Sequence, residues 1–230
     1  MDLGFNNVLF NATGEAIRPD EISGKIDDFE YNDAVREVIR NSRELDREGE
    51  VFVKCAARLL SNFGMTRSGP FKGLKIREDG SVKNKEVLLA CWERIGNGLI
   101  EIRNAIPKSG YSRDRYLVEL SESELTELVA KIWCLTKRLL PLTMGETTYG
   151  LVGASKILFA VLPEIVLPID NSQWLHVFKT VDIGDVIKGM ISEIQCWERE
   201  TGKKLNEIDR FKRLTTLPSV YNVMAMAARP

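Results

Sequence analysis

Apolar residues recur every three to four positions along most of the chain after residue 32, which is the spacing of an amphipathic helix. The clearest case begins at Ser121, where Ser121 and Glu124 form a capping-box pattern before an apolar stripe that extends to Leu139. Further helices are predicted over residues 33–49, 50–63, 85–105, 182–202 and 205–214. The pattern predicts a mainly α fold in which these apolar stripes share a core.

Two regions depart from the helical pattern. Residues 71–83 alternate apolar with charged positions around a turn at 78–81, which predicts a small β-hairpin inserted between helices. Residues 1–31 show no sustained period, so we expect an acidic, irregular N-terminal arm that wraps a helical body formed by residues 32–230. That body is expected to form one unit or two helical lobes, with a cleft near residues 147–178.

Charge is distributed unevenly along the chain. Residues 1–50 contain 13 acidic and 6 basic side chains, and residues 51–230 contain 20 acidic and 26 basic ones, so the overall charge of −1 divides into −7 and +6. A mildly basic body is compatible with a polyanionic partner, because clustered lysines and arginines displace the counterions that condense on nucleic acid. An ordinary solvated surface of mixed charge explains the same counts.

The cysteines and the hydropathy of the chain exclude several classes of protein. The four cysteines are far apart, form no C-x-x-C pair and have no neighbouring histidine, so we expect buried thiols and no zinc or iron–sulfur site. No segment approaches the roughly 18 consecutive apolar residues of a membrane-spanning helix, and the first residues do not have the pattern of a signal peptide. We therefore expect a cytoplasmic protein without a metal, a cofactor or a membrane contact, and we take it to be a monomer.

The common catalytic motifs do not occur in the sequence. Its one histidine, His176, lies at helical spacing among apolar residues, and no nucleophile elbow, glycine-rich nucleotide motif or zinc-protease pair is found. What remains is the run from Tyr149 to Leu158, which predicts a loop with two glycines, Gly150 and Gly153, leading into an apolar helix. Glycines let the backbone approach a ligand, and the free N–H groups at a helix start attract phosphate. A tight turn between helices explains the same glycines.

A second candidate, Asp170, follows Lys156 by 14 positions and comes just after Pro163 and Pro168. With Gln173 it forms the pattern of a capping box, and capping alone accounts for this spacing. A carboxylate at a helix start also has a fixed orientation, so it can stabilise a developing cation or position a water molecule. For Lys156, the simplest explanation is a solvated helix residue.

The run Val-Gly-Ala-Ser-Lys at 152–156, the apolar helix after it, and Leu-Pro-Ile-Asp at 167–170 with Trp174 resemble the helix-hairpin-helix superfamily of DNA glycosylases. The resemblance implies a helical bundle of that type and an essential carboxylate at Asp170. It also implies contacts of the chain with a DNA phosphate, which would fall on Gly150, Gly153 and Ser155.

The resemblance further implies how the chain would act. A glycosylase extrudes the target nucleotide into a pocket, for which Tyr149 and Trp174 are candidate walls, although core packing is the simpler explanation for Trp174. Asp170 would stabilise positive charge on the sugar or activate water, and Lys156 would attack the sugar carbon only if it is deprotonated. Because the interval between Lys156 and Asp170 is shorter than is usual in the family, we expect a monofunctional enzyme in which Lys156 contacts a phosphate or the pocket.

The expected partner is double-stranded DNA. Basic loop residues would follow its backbone, and these are Arg67, Lys72, Lys75, Arg77, Lys203, Lys204, Arg210, Lys212 and Arg213. The sequence does not define the excised base, which could be a damaged base in repair or a modified base of foreign phage DNA. Two other functions fit the sequence: a helical module that holds DNA without chemistry, and a metal-dependent nuclease, although no compact carboxylate cluster is recognisable.

Overall fold

In the computed structural model, the described residues are 7–30, 32–209, 211–212 and 214–230. They form a mainly α fold, as the apolar periodicity predicts. The α-helices in chain order are α1 Pro19–Asp27, α2 Asn32–Asn41, α3 Glu50–Asn62, α4 Glu86–Ala105, α5 Tyr111–Asp114, α6 Tyr116–Glu119, α7 Glu122–Leu139, α8 Thr148–Phe159, α9 Ile183–Thr201 and α10 Leu217–Ala227. Short 3-10 turns lie at Gly69–Phe71, Leu140–Leu142 and Leu205–Glu207, and a π-helix lies at Gln173–Phe178.

The sequence pattern locates two of the long helices closely. Ser121 caps α7 in the predicted capping box: its hydroxyl oxygen accepts the N–H of Glu124, and the Glu124 carboxylate accepts the N–H of Ser121 at 2.8 Å. Asp182 caps α9, and Gly202 in the left-handed conformation ends it. Local capping chemistry therefore sets both ends of α9 and the start of α7.

The predicted hairpin is confirmed. Strand β1 (Lys75–Ile76) pairs antiparallel with strand β2 (Val82–Lys83). In the turn, the carboxylate of Asp79 accepts hydrogen bonds from the N–H and the hydroxyl of Ser81 at 2.9 and 2.7 Å. The hairpin packs against α3, so it extends one side of the helical body.

The prediction of an irregular N-terminal arm is wrong where α1 forms. Ile22 and Ile26, one helical turn apart, are buried, and α1 packs against α10. The chain before α1 is tied to α9, because the carboxylate of Glu193 accepts the N–H groups of Val8 and Leu9 at 2.6 and 2.7 Å. A helix this short presents only one repeat of its apolar period, so the sequence pattern does not reveal it.

The last helix is displaced from its predicted position. Among the described residues of this stretch, helical structure is limited to the 3-10 turn Leu205–Glu207. The side chain of Asp209 accepts hydrogen bonds from the N–H groups of Phe211 and Leu214, which takes the place of helical pairing there. Helix α10 follows instead, and its residues 217–225 are all buried, so it has no amphipathic stripe by which to recognise it. Likewise, α2 ends at Asn41 and does not continue to the predicted end at Gly49.

Helix α8 lies at the centre of the core. It packs against α3, α7 and the Leu140–Leu142 turn, and every residue from Gly150 to Phe159 is buried. Helices α4 and α9 in turn pack against α7. Ser155 and Lys156, the polar residues of this buried part of α8, are therefore enclosed by the body. Within the described residues, no helix combines the length and the apolar character needed to cross a membrane.

Candidate active site around Lys156 and Asp170

The prediction of a glycine-bearing loop is wrong, because Gly150 and Gly153 lie inside α8. Thr147 caps this helix, and its hydroxyl oxygen accepts the N–H of Gly150 at 3.0 Å. A Cβ atom on Gly150 would lie 2.0 Å from the carbonyl oxygen of Gly145, and one on Gly153 would lie 2.9 Å from the Cβ atom of Thr143. The glycines therefore let the preceding turn pack directly on the helix. This placement gives no support to their predicted role as phosphate contacts.

Ser155 joins α8 to the segment that carries Asp170. Its buried hydroxyl lies 3.0 Å from the carbonyl oxygen of Val152 and 3.1 Å from that of Ile169, either of which can accept its proton. Because Ile169 directly precedes Asp170, this contact fixes the carboxylate relative to the helix. Ser155 therefore positions its neighbours here, and a side chain this deeply buried reaches DNA only if the site opens.

A buried cluster of ion pairs around Glu164 fixes the chain segment between α8 and Asp170. Glu164 is 2 % exposed, and its carboxylate pairs with Arg103 of α4 and Arg113 of α5. Arg103 also donates a hydrogen bond to the carbonyl oxygen of Val161 at 2.9 Å, while the Nε atoms of both arginines have no partner. Two guanidinium groups thus fix the turn that leads from α8 to Asp170.

Asp170 and Gln173 form the predicted capping box. Oδ1 of Asp170 accepts the N–H of Gln173, and Oε1 of Gln173 accepts the N–H of Asp170, each at 2.8 Å. The second carboxylate oxygen, Oδ2, lies 2.5 Å from Nη1 of Arg229. The Gln173 amide also donates to Asn222 of α10 at 3.1 Å. Both oxygens of Asp170 are therefore bound, although its side chain keeps 23 % of its surface exposed.

Lys156 is a lysine in the middle of the core. It is 4 % exposed, its Nζ lies 4.5 Å from the centre of the Phe63 ring, and within the part of the chain that the structure describes its amine forms no hydrogen bond or ion pair. Burial lowers the pKa of Lys156 to about 8, with smaller effects from the charge of Asp170, which raises the pKa, and from that of Arg229, which lowers it. The structure thus brings the two predicted catalytic residues into one electrostatic site.

The two predicted pocket walls differ in exposure. Tyr149 lies in the first turn of α8 and is 58 % exposed, so its ring is accessible to a ligand. Trp174 is 1 % exposed and belongs to the core, so the packing explanation holds for this conformation. The indole N–H of Trp174 and the amide oxygen of Asn171 are buried without hydrogen-bond partners. Such atoms are uncommon in folded proteins, because each costs about 1–3 kcal/mol.

Three residues of this site are missed by the sequence analysis: Phe63, Asn222 and Arg229. Phe63 is recognisable only as an apolar position near the end of a predicted helix, and Asn222 and Arg229 belong to or follow a helix that has no amphipathic pattern. Each is far in sequence from Lys156 and Asp170. Local spacing carries no information about such contacts, which arise only when the helices pack together.

The predicted basic residues have different surroundings. The exposed ones are Arg67, Lys72, Lys75, Arg77, Lys203, Lys204 and Lys212. Lys204 bonds to the buried carboxylate of Glu198 at 3.2 Å, and Arg210 and Arg213 lie outside the described residues. The first four of these residues follow Phe63 within 14 positions of the chain, so an exposed basic stretch comes shortly after the residue whose ring covers Lys156.

The described residues form no candidate metal site, and no known protein is found to be similar to the chain. Among the described residues, no group of three or more His, Cys, Asp and Glu side chains is placed to hold a metal ion, so the nuclease alternative gains no support. Comparison of the chain with protein-family models, with characterised proteins and with solved structures gives no match. The function is therefore argued from the geometry around Lys156 and Asp170.

Proposed function

We propose that the protein is a DNA glycosylase that flips out and excises a damaged or modified base, with Asp170 and Lys156 as its reacting groups. The observation that carries the proposal is an unpaired lysine amine, buried in the core beside a carboxylate held at a helix start. An unpaired buried amine lowers stability, and such groups cluster at functional sites. The same two residues are those that the resemblance to helix-hairpin-helix glycosylases identifies.

Asp170 is suited to stabilise the reaction intermediate. Loss of the base leaves positive charge on the sugar, which a fixed carboxylate can stabilise, or the carboxylate can orient the water that adds to the sugar. The capping box with Gln173 holds Oδ1 and leaves Oδ2 to face a partner, which in the free protein is Arg229. Capping and catalysis therefore use different oxygens of the same side chain.

The lowered pKa of Lys156 favours a nucleophilic role. A phosphate contact requires a protonated, accessible amine, whereas Lys156 is buried and has a pKa of about 8, so on the order of a tenth of it is neutral at pH 7. A neutral amine can attack the sugar carbon: the N–C bond forms, the bond to the base breaks and the base leaves with the electron pair. The departing base takes one proton from the nitrogen, the C1′–O4′ bond of the sugar ring then breaks, and O4′ takes the second proton as the imine forms. The imine leads to strand cleavage, whereas the monofunctional enzyme expected from the sequence forms no imine.

Access to the site requires a local movement. The Phe63 ring lies over the Lys156 amine, and Arg229 occupies Asp170, so a flipped nucleotide has to displace both side chains. Exposed Tyr149 is available to stack on a base near the start of α8. Binding energy from DNA along the basic stretch that follows Phe63 would drive this opening.

The proposal is tested by incubating the protein with undamaged, oxidised, alkylated and hypermodified phage DNA, and measuring free bases by mass spectrometry and alkali-labile sites on gels. We expect one class of DNA to release a base, and Asp170→Asn to reduce release by about 10²-fold or more. No release from any DNA, or undiminished release by Asp170→Asn, would contradict the mechanism. Borohydride added during the reaction crosslinks the chain to DNA only if an imine forms, and Lys156→Arg should abolish that crosslink.

A non-catalytic DNA-binding module is the second candidate function. It is favoured by the complete engagement of Asp170, whose two oxygens are bound as in a purely structural cap. In that case the chain binds DNA in a salt-dependent manner, releases no base, and Asp170→Asn leaves binding unchanged. Measuring binding and base release on the same DNA separates the two functions.

A further inference from the structure

The residue that occupies Asp170 comes from a distant part of the chain. Arg229 lies two residues after α10; its Nε donates to the carbonyl oxygen of Met226 at 2.9 Å, and its Nη1 lies 2.5 Å from Oδ2 of Asp170. Helix α10 also contributes Asn222, which binds Gln173, the capping partner of Asp170. Helix α10 and the residues directly after it therefore contact both members of the capping box.

Each oxygen of the Asp170 carboxylate is bound by a donor other than Lys156. Oδ1 is bound by the N–H of Gln173 and Oδ2 by Arg229, while the Lys156 amine forms no hydrogen bond or ion pair with any described residue. An amine beside a free carboxylate would ordinarily form such a pair. Arg229 thus binds the carboxylate oxygen that the capping box does not use.

We propose that Arg229 is a positioning residue of this site: by binding Oδ2 it holds the Asp170 carboxylate away from the Lys156 amine and so keeps that amine unpaired. The role assigned to the amine rests on the proposed function, but the arrangement can be tested without DNA. Arg229 keeps 36 % of its side-chain surface exposed, so it is accessible to displacement by a substrate that needs the carboxylate.

Two charged side chains, Asp170 and Arg229, influence the pKa of Lys156. Arg229 lowers this pKa in two ways. Its positive charge disfavours protonation of the amine directly, and its hold on Asp170 weakens the attraction of the carboxylate for the amine. Helices α3 and α7 and the Leu140–Leu142 turn, which pack against α8, contribute no further charged group among the described residues. Removal of Arg229 should therefore raise the pKa of Lys156.

The test is competitive labelling of lysines with acetic anhydride across pH 6–11, with Lys156 followed by peptide mass spectrometry. The midpoint of the labelling curve is the readout, because it reports the pKa of the amine, whereas restricted access of the reagent changes only the labelling rate. The variants are Arg229→Gln, Arg229→Lys, Asp170→Asn and the double variant Asp170→Asn/Arg229→Gln. Arg199→Gln is the matched control, since Arg199 is an exposed arginine in the last turn of α9.

We expect Arg229→Gln to move the midpoint upward and to reduce labelling at pH 7 by about threefold to tenfold. Arg229→Lys, which keeps the charge, and Arg199→Gln should leave the midpoint in place. In the Asp170→Asn background, which alone should lower the midpoint, the effect of Arg229→Gln should be clearly smaller, because the carboxylate that Arg229 positions is gone.

Two results would overturn the proposal. An unchanged midpoint in Arg229→Gln would show that Arg229 has no influence on the amine. Equal upward movements with and without Asp170 would show that Arg229 acts only through its own charge and does not position the carboxylate. Neither result depends on base release, so failure of this proposal is distinguishable from failure of the glycosylase proposal.

Discussion

Two charge clusters in this protein contain similar side chains but differ in burial and in how their charges are paired. In one, Glu164 pairs directly with Arg103 and Arg113. In the other, Asp170 pairs with an arginine from the end of α10, and the Lys156 amine remains unpaired in the core. Direct pairing offsets the cost of burying charge, whereas an unpaired buried amine lowers stability. We therefore assign the first cluster to the fold and propose a chemical role for the second.

The largest expected effect is on the Glu164 cluster. Glu164→Gln leaves two buried guanidinium groups without their carboxylate, so the free energy of unfolding at pH 7 should fall by about 3–5 kcal/mol. Urea denaturation followed by circular dichroism measures this loss. The control is Glu44→Gln, because Glu44 forms an exposed pair with Lys108 and should change stability little. A similar loss in both variants would remove the structural role assigned to Glu164.

The second prediction is a gain in stability. Lys156→Met removes a charge whose burial lowers its pKa from 10.5 to about 8, so the variant should be more stable at pH 7, by up to about 3 kcal/mol. Lys188→Met, at an exposed position of α9, should not produce this gain. Destabilisation by Lys156→Met would mean that the amine contributes to the fold, and the contrast between the clusters would disappear.

The pH dependence of that gain sharpens the contrast. Below pH 8 the amine is protonated in both the folded and the unfolded chain, and the folded chain bears the full cost of its burial. Between a pKa of about 8 and 10.5 only the unfolded chain keeps the proton, so the stability of the parent chain rises with pH relative to Lys156→Met. Unfolding at pH 7 and pH 10 should show the gain shrinking, and a constant gain would contradict a titrating buried amine.

The smallest predicted difference concerns two aspartates that both cap a helix start. Asp182 accepts the N–H of Gly184 at 2.7 Å, and because asparagine caps about as well as aspartate, Asp182→Asn should change stability by less than about 0.5 kcal/mol. Asp170→Asn also removes the negative charge between Arg229 and Lys156, so it should cost about 1 kcal/mol more. Thermal unfolding of the two variants side by side measures the difference, and equal losses would make Asp170 an ordinary cap.

Local patterns in the sequence predict the parts of the fold that depend on near neighbours. The capping boxes at Ser121 and Asp170, the hairpin and the end of α9 at Gly202 all follow from contacts within a few residues. The helices α8 and α10 are less predictable, because burial on all sides removes the amphipathic stripe that marks a helix. This is why a glycine pair inside α8 resembles a loop in the sequence.

The candidate site likewise contains some residues that local spacing predicts and others that only the packing of the helices brings into place. Asp170 is identified by its spacing to Gln173, and the electrostatic effect of Asp170 on Lys156 is consistent with the fourteen-residue interval between them. Arg229 cannot be found from spacing, because it reaches Asp170 only through the packing of α10. The burial of Lys156 is likewise a property of the assembled core, so the sequence does not distinguish a solvated lysine from an unpaired one.

The most direct test of the central claim compares base release by Asp170→Asn and Asp182→Asn. Both variants replace a capping aspartate with asparagine, but only the first alters the carboxylate beside Lys156. On the DNA that the parent chain processes, we predict near-parental release of free base by Asp182→Asn and a loss of about 10²-fold or more by Asp170→Asn, with both variants folded. Equal release by the two variants would contradict the assignment of Asp170 to catalysis.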